Sequence, residues 1–190
     1  MVFVPPPSPF GAQLVSGNAL AASGFAAWEF LPGMRFAERA AWWRGGSDRG
    51  GVHEGLDICW YRTVDGRRLS LGAGARVPAI YAGEVVSVVP DFLGASVFVA
   101  HAHRDALGRR LHTVYGHVDP LPGLAPGSVL GAGREVGTIA DTTVKKSAVP
   151  SHLHITLALI DCGGELQRLD WDALRDRSRV QLLDPMIIMK

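Results

Sequence analysis

Gly51-Val52-His53-Glu54-Gly55-Leu56-Asp57-Ile58 and Ser151-His152-Leu153-His154-Ile155 are the two stretches on which the reading of this chain turns. A strand sends alternate side chains to opposite faces, so His152 and His154 share a face. The same strand continues to Ile160, and Leu153, Ile155, Leu157 and Leu159 form an apolar stripe behind the histidines that can anchor it in a core. Two imidazoles held over a buried sheet, with a further His and a carboxylate elsewhere, form the ligand inventory of a catalytic zinc site. Such sites take three protein ligands from His and Asp/Glu and leave a fourth position for water. The pattern points to a metal hydrolase.

His53 and Asp57 are four apart, share a face if extended, and have Gly55 between them to leave room for an ion. His53-Glu54-x-x-Asp57 could instead be read as a helical metalloprotease motif with Glu54 as general base. Glycines at 50, 51 and 55 and the β-prone Ile58-Cys59-Trp60-Tyr61 argue against that helix. Extended geometry sends Glu54 to the face opposite His53 and Asp57, which makes it a solvated or structural charge. Tyr115-Gly116-His117 ends another strand, with Tyr115 and His117 expected on one face and Val114 and Val118 on the other. His101-Ala102-His103 repeats the His-x-His pattern without a carboxylate motif, and Arg104, Arg109 and Arg110 nearby would repel a cation. His101 therefore reads as structural and His103 as an exposed loop residue, and His112 has no functional reading.

The 190 residues are enough for one domain with a buried core, and 47% hydrophobic content supplies the material. Twenty-three glycines and 12 prolines fit many short strands joined by tight turns. A net charge of +1 gives no reason to expect nucleic acid or an anionic membrane as partner. No apolar run approaches the roughly 20 residues that span a bilayer. Residues 1–34 carry Glu29 as their only charge, so the basic start of a signal peptide is missing from them. Cys59 lies two residues past Asp57, whereas Cys162 lies eight past His154, roughly 26 Å along an extended strand. A disulfide needs Cα atoms within about 7 Å, so two free thiols are expected.

Val2 to Phe10 is proline-rich and reads as extended. Ala19–Phe30 and Met34–Trp43 have the apolar content of short helices, and the Gly45–Gly51 loop delivers the chain to His53. Strands are expected at Leu56–Arg62 and Arg67–Leu71 around an Asp65-Gly66 hairpin turn. Further strands are expected at 75–81, 84–89, 95–101, 110–117, 135–140 and 152–160. Asp170–Arg177 reads as a short helix with Asp170 as N-cap. The expectation is a mainly β, antiparallel fold, with residues 1–50 as an N-terminal extension and 51–190 as the functional domain.

Together these motifs resemble the lysostaphin/LytM-type zinc metallopeptidases, which cleave the peptide crosslinks of bacterial peptidoglycan. The resemblance runs from about Val52 to Pro185 and includes His53-Glu-Gly-Leu-Asp57, Ala79-Ile-Tyr-Ala-Gly-Glu-Val-Val86, Val97-Phe-Val-Ala-His101, Tyr115-Gly-His117, Pro126–Gly137 and His152-Leu-His154. It implies the family's duplicated antiparallel β motif, one Zn²⁺ per chain held by His53, Asp57 and His154, and His117 and His152 as catalytic histidines. It also implies a peptidoglycan peptide as substrate and a place in the cell envelope, the periplasm or outside the cell. The chain departs from the family's simplest pattern in the longer stretch from Asp57 to Ala79, in Lys145-Lys146 before the His pair, and in residues 1–50, which have no recognised counterpart. A catalytically silent relative that regulates a cell-wall amidase, or a zinc peptidase with a substrate outside the wall, are the alternatives.

Overall fold

The computed structural model describes residues 3–161 and 169–189. Its two longest strands, Ala95–Arg104 and Arg110–Pro120, lie side by side at the centre of a nine-stranded sheet. Gly83–Pro90 and then Val129–Leu130 extend the sheet from Ala95–Arg104; Glu135–Ile139 and then Arg76–Pro78 extend it from the far end of Arg110–Pro120. Leu153–Ile160 pairs with Arg110–Pro120, and both Leu56–Ile58 and Val180–Leu183 pair with Leu153–Ile160. Each of these pairings is antiparallel, so the expected mainly β, antiparallel architecture is what the chain forms.

Strand Leu153–Ile160 is buried along its whole length, because both of its faces are covered. Leu153, Ile155, Leu157 and Leu159 enter the main core with Val97, Leu111, Tyr115, Val118 and Ile139. Ala158 and Ile160 face a second cluster with Phe98, Val114, Leu174 and Val180. Each such aliphatic side chain removed from water stabilises the fold by roughly 1.5–3 kcal/mol, so the strand that carries His154, and that starts directly after His152 instead of at it, is anchored from both sides.

The N-terminal segment departs from the helices expected at 19–30 and 34–43. Its α-helix is Phe10–Gly17, beginning directly after the prolines, with Phe10 and Leu14 one turn apart and fully buried in the main core. Phe25–Glu29 is a strand paired with Trp60–Thr63, and Ala40–Ala41 pairs with Ser47–Asp48. Only short 3₁₀ turns at Leu20–Ser23 and Trp42–Arg44 remain of the expected helices. The cause is pairing across the sheet: Phe25 and Trp28 pack on Tyr61, while Glu29 bridges Arg62 and Arg68. Aromatic residues favour a pleated, half-buried surface, and here tertiary contact outweighs local helical character.

The stretch read as one strand from Leu56 to Arg62 is two. It breaks at Cys59, a buried free thiol, so Leu56–Ile58 joins the large sheet and Trp60–Thr63 joins a three-stranded one with Phe25–Glu29 and Arg68–Ser70. The Asp65-Gly66 turn forms as expected, with Gly66 at φ +82°. The Asp170 carboxylate accepts from the Asp172 and Ala173 N–H groups, but the helix expected to Arg177 is only a 3₁₀ turn at Ala173–Arg175. Cys162 lies outside the described residues. No helix among the described residues is long and apolar enough to cross a membrane.

Because Phe10 is fully buried in the main core, Phe10→Ala should lower the unfolding free energy in urea by about 3–5 kcal/mol. Val129→Ala, at a side chain 84% exposed, should stay within about 0.5 kcal/mol of the parent. A Phe10→Ala effect as small as that of Val129→Ala would show that the helix does not belong to the core.

Candidate metal centre and its cleft

Three buried donor atoms converge where Leu56–Ile58 runs beside the start of Leu153–Ile160, with Asp57 directly across from His154 in the ladder. His53 Nε2 lies 3.1 Å from Asp57 Oδ1, His154 Nδ1 lies 2.8 Å from the same oxygen, and the two nitrogens are 3.2 Å apart. A tetrahedral ion with bonds of about 2.0–2.2 Å separates its ligand atoms by roughly 3.3–3.5 Å, close to this triangle. The other polar atom of each side chain is occupied. His53 Nδ1 donates to the Arg35 carbonyl, His154 Nε2 shares a 2.9 Å hydrogen bond with the Thr156 hydroxyl, and Asp57 Oδ2 accepts from the Trp42 indole N–H at 2.7 Å.

The Arg35 carbonyl can only accept, so it fixes the His53 tautomer with the Nε2 lone pair inward. The Thr156 hydroxyl can accept from His154 Nε2 and leave Nδ1 as the inward lone pair, which is how metal-ligating histidines are oriented. Burial pushes the His154 pKa down against the pull of Asp57, which favours the neutral ring that a ligand requires. Burial alone would raise the Asp57 carboxyl, but the facing His152 and His53 rings outweigh it and hold the group well below the usual carboxylate range. With those inward nitrogens unprotonated, two lone pairs and a carboxylate oxygen form a donor set that a cation would complete. The residues present therefore fit a metal.

Leu56–Ile58 is strand but His53 is not; it sits in the irregular run before it, so strand alternation is not what brings His53 to Asp57. Gly55 allows the turn. A Cβ there would sit 2.2 Å from the Ile155 carbonyl oxygen and 2.7 Å from His154 Nε2. The same irregular run overturns the expectation for Glu54, which lines the cleft beside Asp57 instead of facing away.

His152 and His117 stand beside the triangle. His152 Nδ1 donates to the Pro150 carbonyl at 2.8 Å, which leaves Nε2 turned toward the site, 3.5 Å from Asp57 Oδ1. The His117 ring lies 4.8 Å from that of His152 and 5.8 Å from that of His154. The expected sharing of a face by Tyr115 and His117 does not occur. Pairing with Ala95–Arg104 slips between Tyr115 and Val118, and His117 takes φ +61° at that bulge. Tyr115 and Val118 therefore both enter the main core, while His117 turns into the cleft.

Asp91 holds His117 from behind. Its Oδ1 is 3.1 Å from His117 Nδ1, off the line of a well-directed hydrogen bond, and its Oδ2 accepts from the His117 backbone N–H. Ser96 Oγ and the Leu93 and Gly94 N–H groups also donate to this carboxylate. Burial opposes its charge, yet these donors, His117 foremost, hold it well below the usual carboxylate range. The sequence reading missed Asp91, since an aspartate before Phe-Leu-Gly looks like ordinary turn chemistry. It also missed Trp42, Phe92 and Trp171 as neighbours of the site.

The cleft encloses about 320 Å³, walled by Trp43, Phe92, Val149 and Trp171, with Arg49, Glu54 and Arg175 among its charged lining residues. His101 lies elsewhere, buried between the Ala82 carbonyl and Thr113 Oγ1 and pushed down to about 4 by burial, as its structural reading requires. His112 is likewise buried and bonded to the Arg110 carbonyl. His103 is exposed, on the end of strand Ala95–Arg104 and not in a loop.

No protein-family model and no curated protein sequence matches the chain. Among solved structures it is similar to the SpoIIQ-SpoIIIAH pore-forming complex at 17% identity, over 90% of this chain and 87% of that one, with a TM-score of 0.47. It is also similar to a candidate M23 peptidase from Pseudomonas aeruginosa at 19% identity (80% and 57% of the chains, TM-score 0.40). A candidate glycyl-glycine endopeptidase lytM from Ruminococcus gnavus is similar at 21% identity (65% and 45%, TM-score 0.39). Likenesses of this degree carry no functional argument, which rests on the site itself.

Gly55→Ala should destabilise the protein by about 2 kcal/mol or more in urea titration, because the new methyl meets backbone and a site histidine. Gly51→Ala, with open space around its Cβ position, should stay within about 0.5 kcal/mol. Equal effects at the two positions would contradict the close approach at Gly55.

Proposed function

We propose that this protein is a zinc-dependent metallopeptidase that hydrolyses peptide bonds in bacterial peptidoglycan crosslinks. The observation that carries the reading is the buried triangle of His53 Nε2, Asp57 Oδ1 and His154 Nδ1, each side chain held from its other end, opening onto a cleft beside two more histidines. The substrate class comes from the sequence resemblance. The cleft is compatible with it, with aromatic walls and charges of both signs for an extended peptide.

Zinc bound there supplies a Lewis acid for the scissile carbonyl and acidifies a water to near neutrality. His152, whose Nδ1 donates a hydrogen bond to the Pro150 carbonyl, turns Nε2 toward the site, where it could accept the attacking water's proton. The proton taken up at His152 Nε2 can then pass to the leaving amine, while His117, with Asp91 behind Nδ1, presents Nε2 from the other side, where its protonated ring would hold the developing oxyanion. A silent regulator of an amidase would not need these side chains, nor the partners that orient them.

The test is incubation of zinc-loaded protein with purified sacculi, followed by separation of released muropeptides. Release should stop when a strong chelator is added. His152→Ala and His117→Ala should each keep about one zinc per chain yet lose roughly 10²–10⁴-fold in rate, whereas His154→Ala should lose the metal. Wild-type protein that holds zinc but releases nothing from sacculi would remove the peptidoglycan reading. If His154→Ala held zinc normally, the ligand assignment would be wrong.

A further inference from the structure

Residues 30–49 lie outside the motifs that suggested the function, yet they wrap the two ligands nearest to them in sequence. The Met34 carbonyl accepts the Asp57 N–H, the Glu38 carbonyl accepts the His53 N–H, and the Ala37 N–H donates to the His53 carbonyl, all at 2.8–2.9 Å. The Arg35 carbonyl fixes the His53 tautomer. Within this segment Trp42 makes the contact that bears on chemistry. Its indole N–H donates to Asp57 Oδ2 at 2.7 Å, and Asp57 is 1% exposed, so water cannot replace that donor.

An indole N–H donates only and cannot itself compete for a cation. It therefore divides the labour of the carboxylate, tying Oδ2 and leaving Oδ1 toward His53 and His154. The ring is locked in place: it packs with Met34 and Cys59 and stands edge-on to Trp43 at 5.8 Å and to His152 at 5.2 Å. Without the N–H, Oδ2 would be a buried anion lacking its donor, and the carboxylate could rotate or present both oxygens to an ion.

We infer that Trp42 is a positioning residue for the metal centre: it holds Asp57 as a one-oxygen ligand, and through it the 34–49 segment and metal occupancy stabilise each other. This rests on the metal reading above. Loss of a hydrogen bond behind a ligand typically weakens metal affinity 10–100-fold.

The test compares Trp42→Phe, which keeps an aromatic ring but lacks the N–H, with Trp43→Phe, its neighbour in the same turn. Zinc affinity is measured by competition with a chromophoric chelator, and the visible spectrum of the cobalt(II)-substituted protein reports coordination. Trp42→Phe should bind zinc 10–100-fold more weakly and alter the cobalt bands, while Trp43→Phe matches the parent in both. In the unaltered protein, nuclear magnetic resonance should show the Trp42 indole proton exchanging slowly with solvent and shifting when zinc is added, a reading that does not depend on a variant folding. Parent-like zinc affinity in Trp42→Phe, equal weakening in both variants, or fast indole exchange would overturn the inference while leaving the metal site standing. Failure of the unaltered protein to bind zinc would instead remove the metal reading, and this inference with it.

Discussion

Two imidazole nitrogens and a carboxylate oxygen pressed together out of water must be held by shared protons or by a cation between them. At separations of 2.8–3.2 Å, in a site where His53 and Asp57 are almost fully buried, mutual repulsion is poorly screened. A fold keeps such a triangle only if each corner is held from outside. Here the Arg35 carbonyl, the Trp42 indole and the Thr156 hydroxyl do so, drawn from an irregular segment, a 3₁₀ turn and strand Leu153–Ile160 respectively. The strand that carries His154 is rigid because apolar clusters grip both of its faces, so the site is built on the best-anchored element of the sheet.

The second constraint is the bulge at Gly116–His117. A regular strand would have put His117 beside Tyr115 in the apolar core, where an imidazole has no work to do. One slip in register and one residue in left-handed conformation send it to the opposite face, and a buried aspartate stabilises it there. Gly116 matters for the same reason, since a Cβ there would lie 3.2 Å from the His154 Cβ. Backbone irregularity at this point is the means by which a strand residue reaches the cleft.

These features mark how far the sequence could be read. Strand identity, the Asp65-Gly66 turn and the shared face of His152 and His154 follow from period-two alternation and turn chemistry, which act locally and leave a local trace. The convergence of His53 with Asp57 was expected for the wrong reason, because His53 is not in the strand. The bulge that turns His117, the cleft-facing Glu54 and the Asp91 and Trp42 contacts depend on partners 26 and 15 residues away, and no periodicity encodes those. The helix expected at 19–30 failed because Phe25 and Trp28 found partners around Tyr61, and the one at 34–43 because its backbone pairs with Ser47–Asp48 and bonds to His53 and Asp57, contacts decided by the tertiary fold.

The claim on which the account depends is that the triangle is a zinc site. The most direct measurement is thermal unfolding of metal-free protein as zinc is added, with bound metal counted in parallel. Linkage predicts one zinc per chain and, at about 100-fold excess over Kd, about 2.7 kcal/mol of added stability, which for a domain of this size raises Tm by roughly 5–10 °C. Magnesium, which prefers six oxygen ligands, should give no such rise. An unchanged Tm at saturating zinc, or a rise equally large with magnesium, would contradict the account.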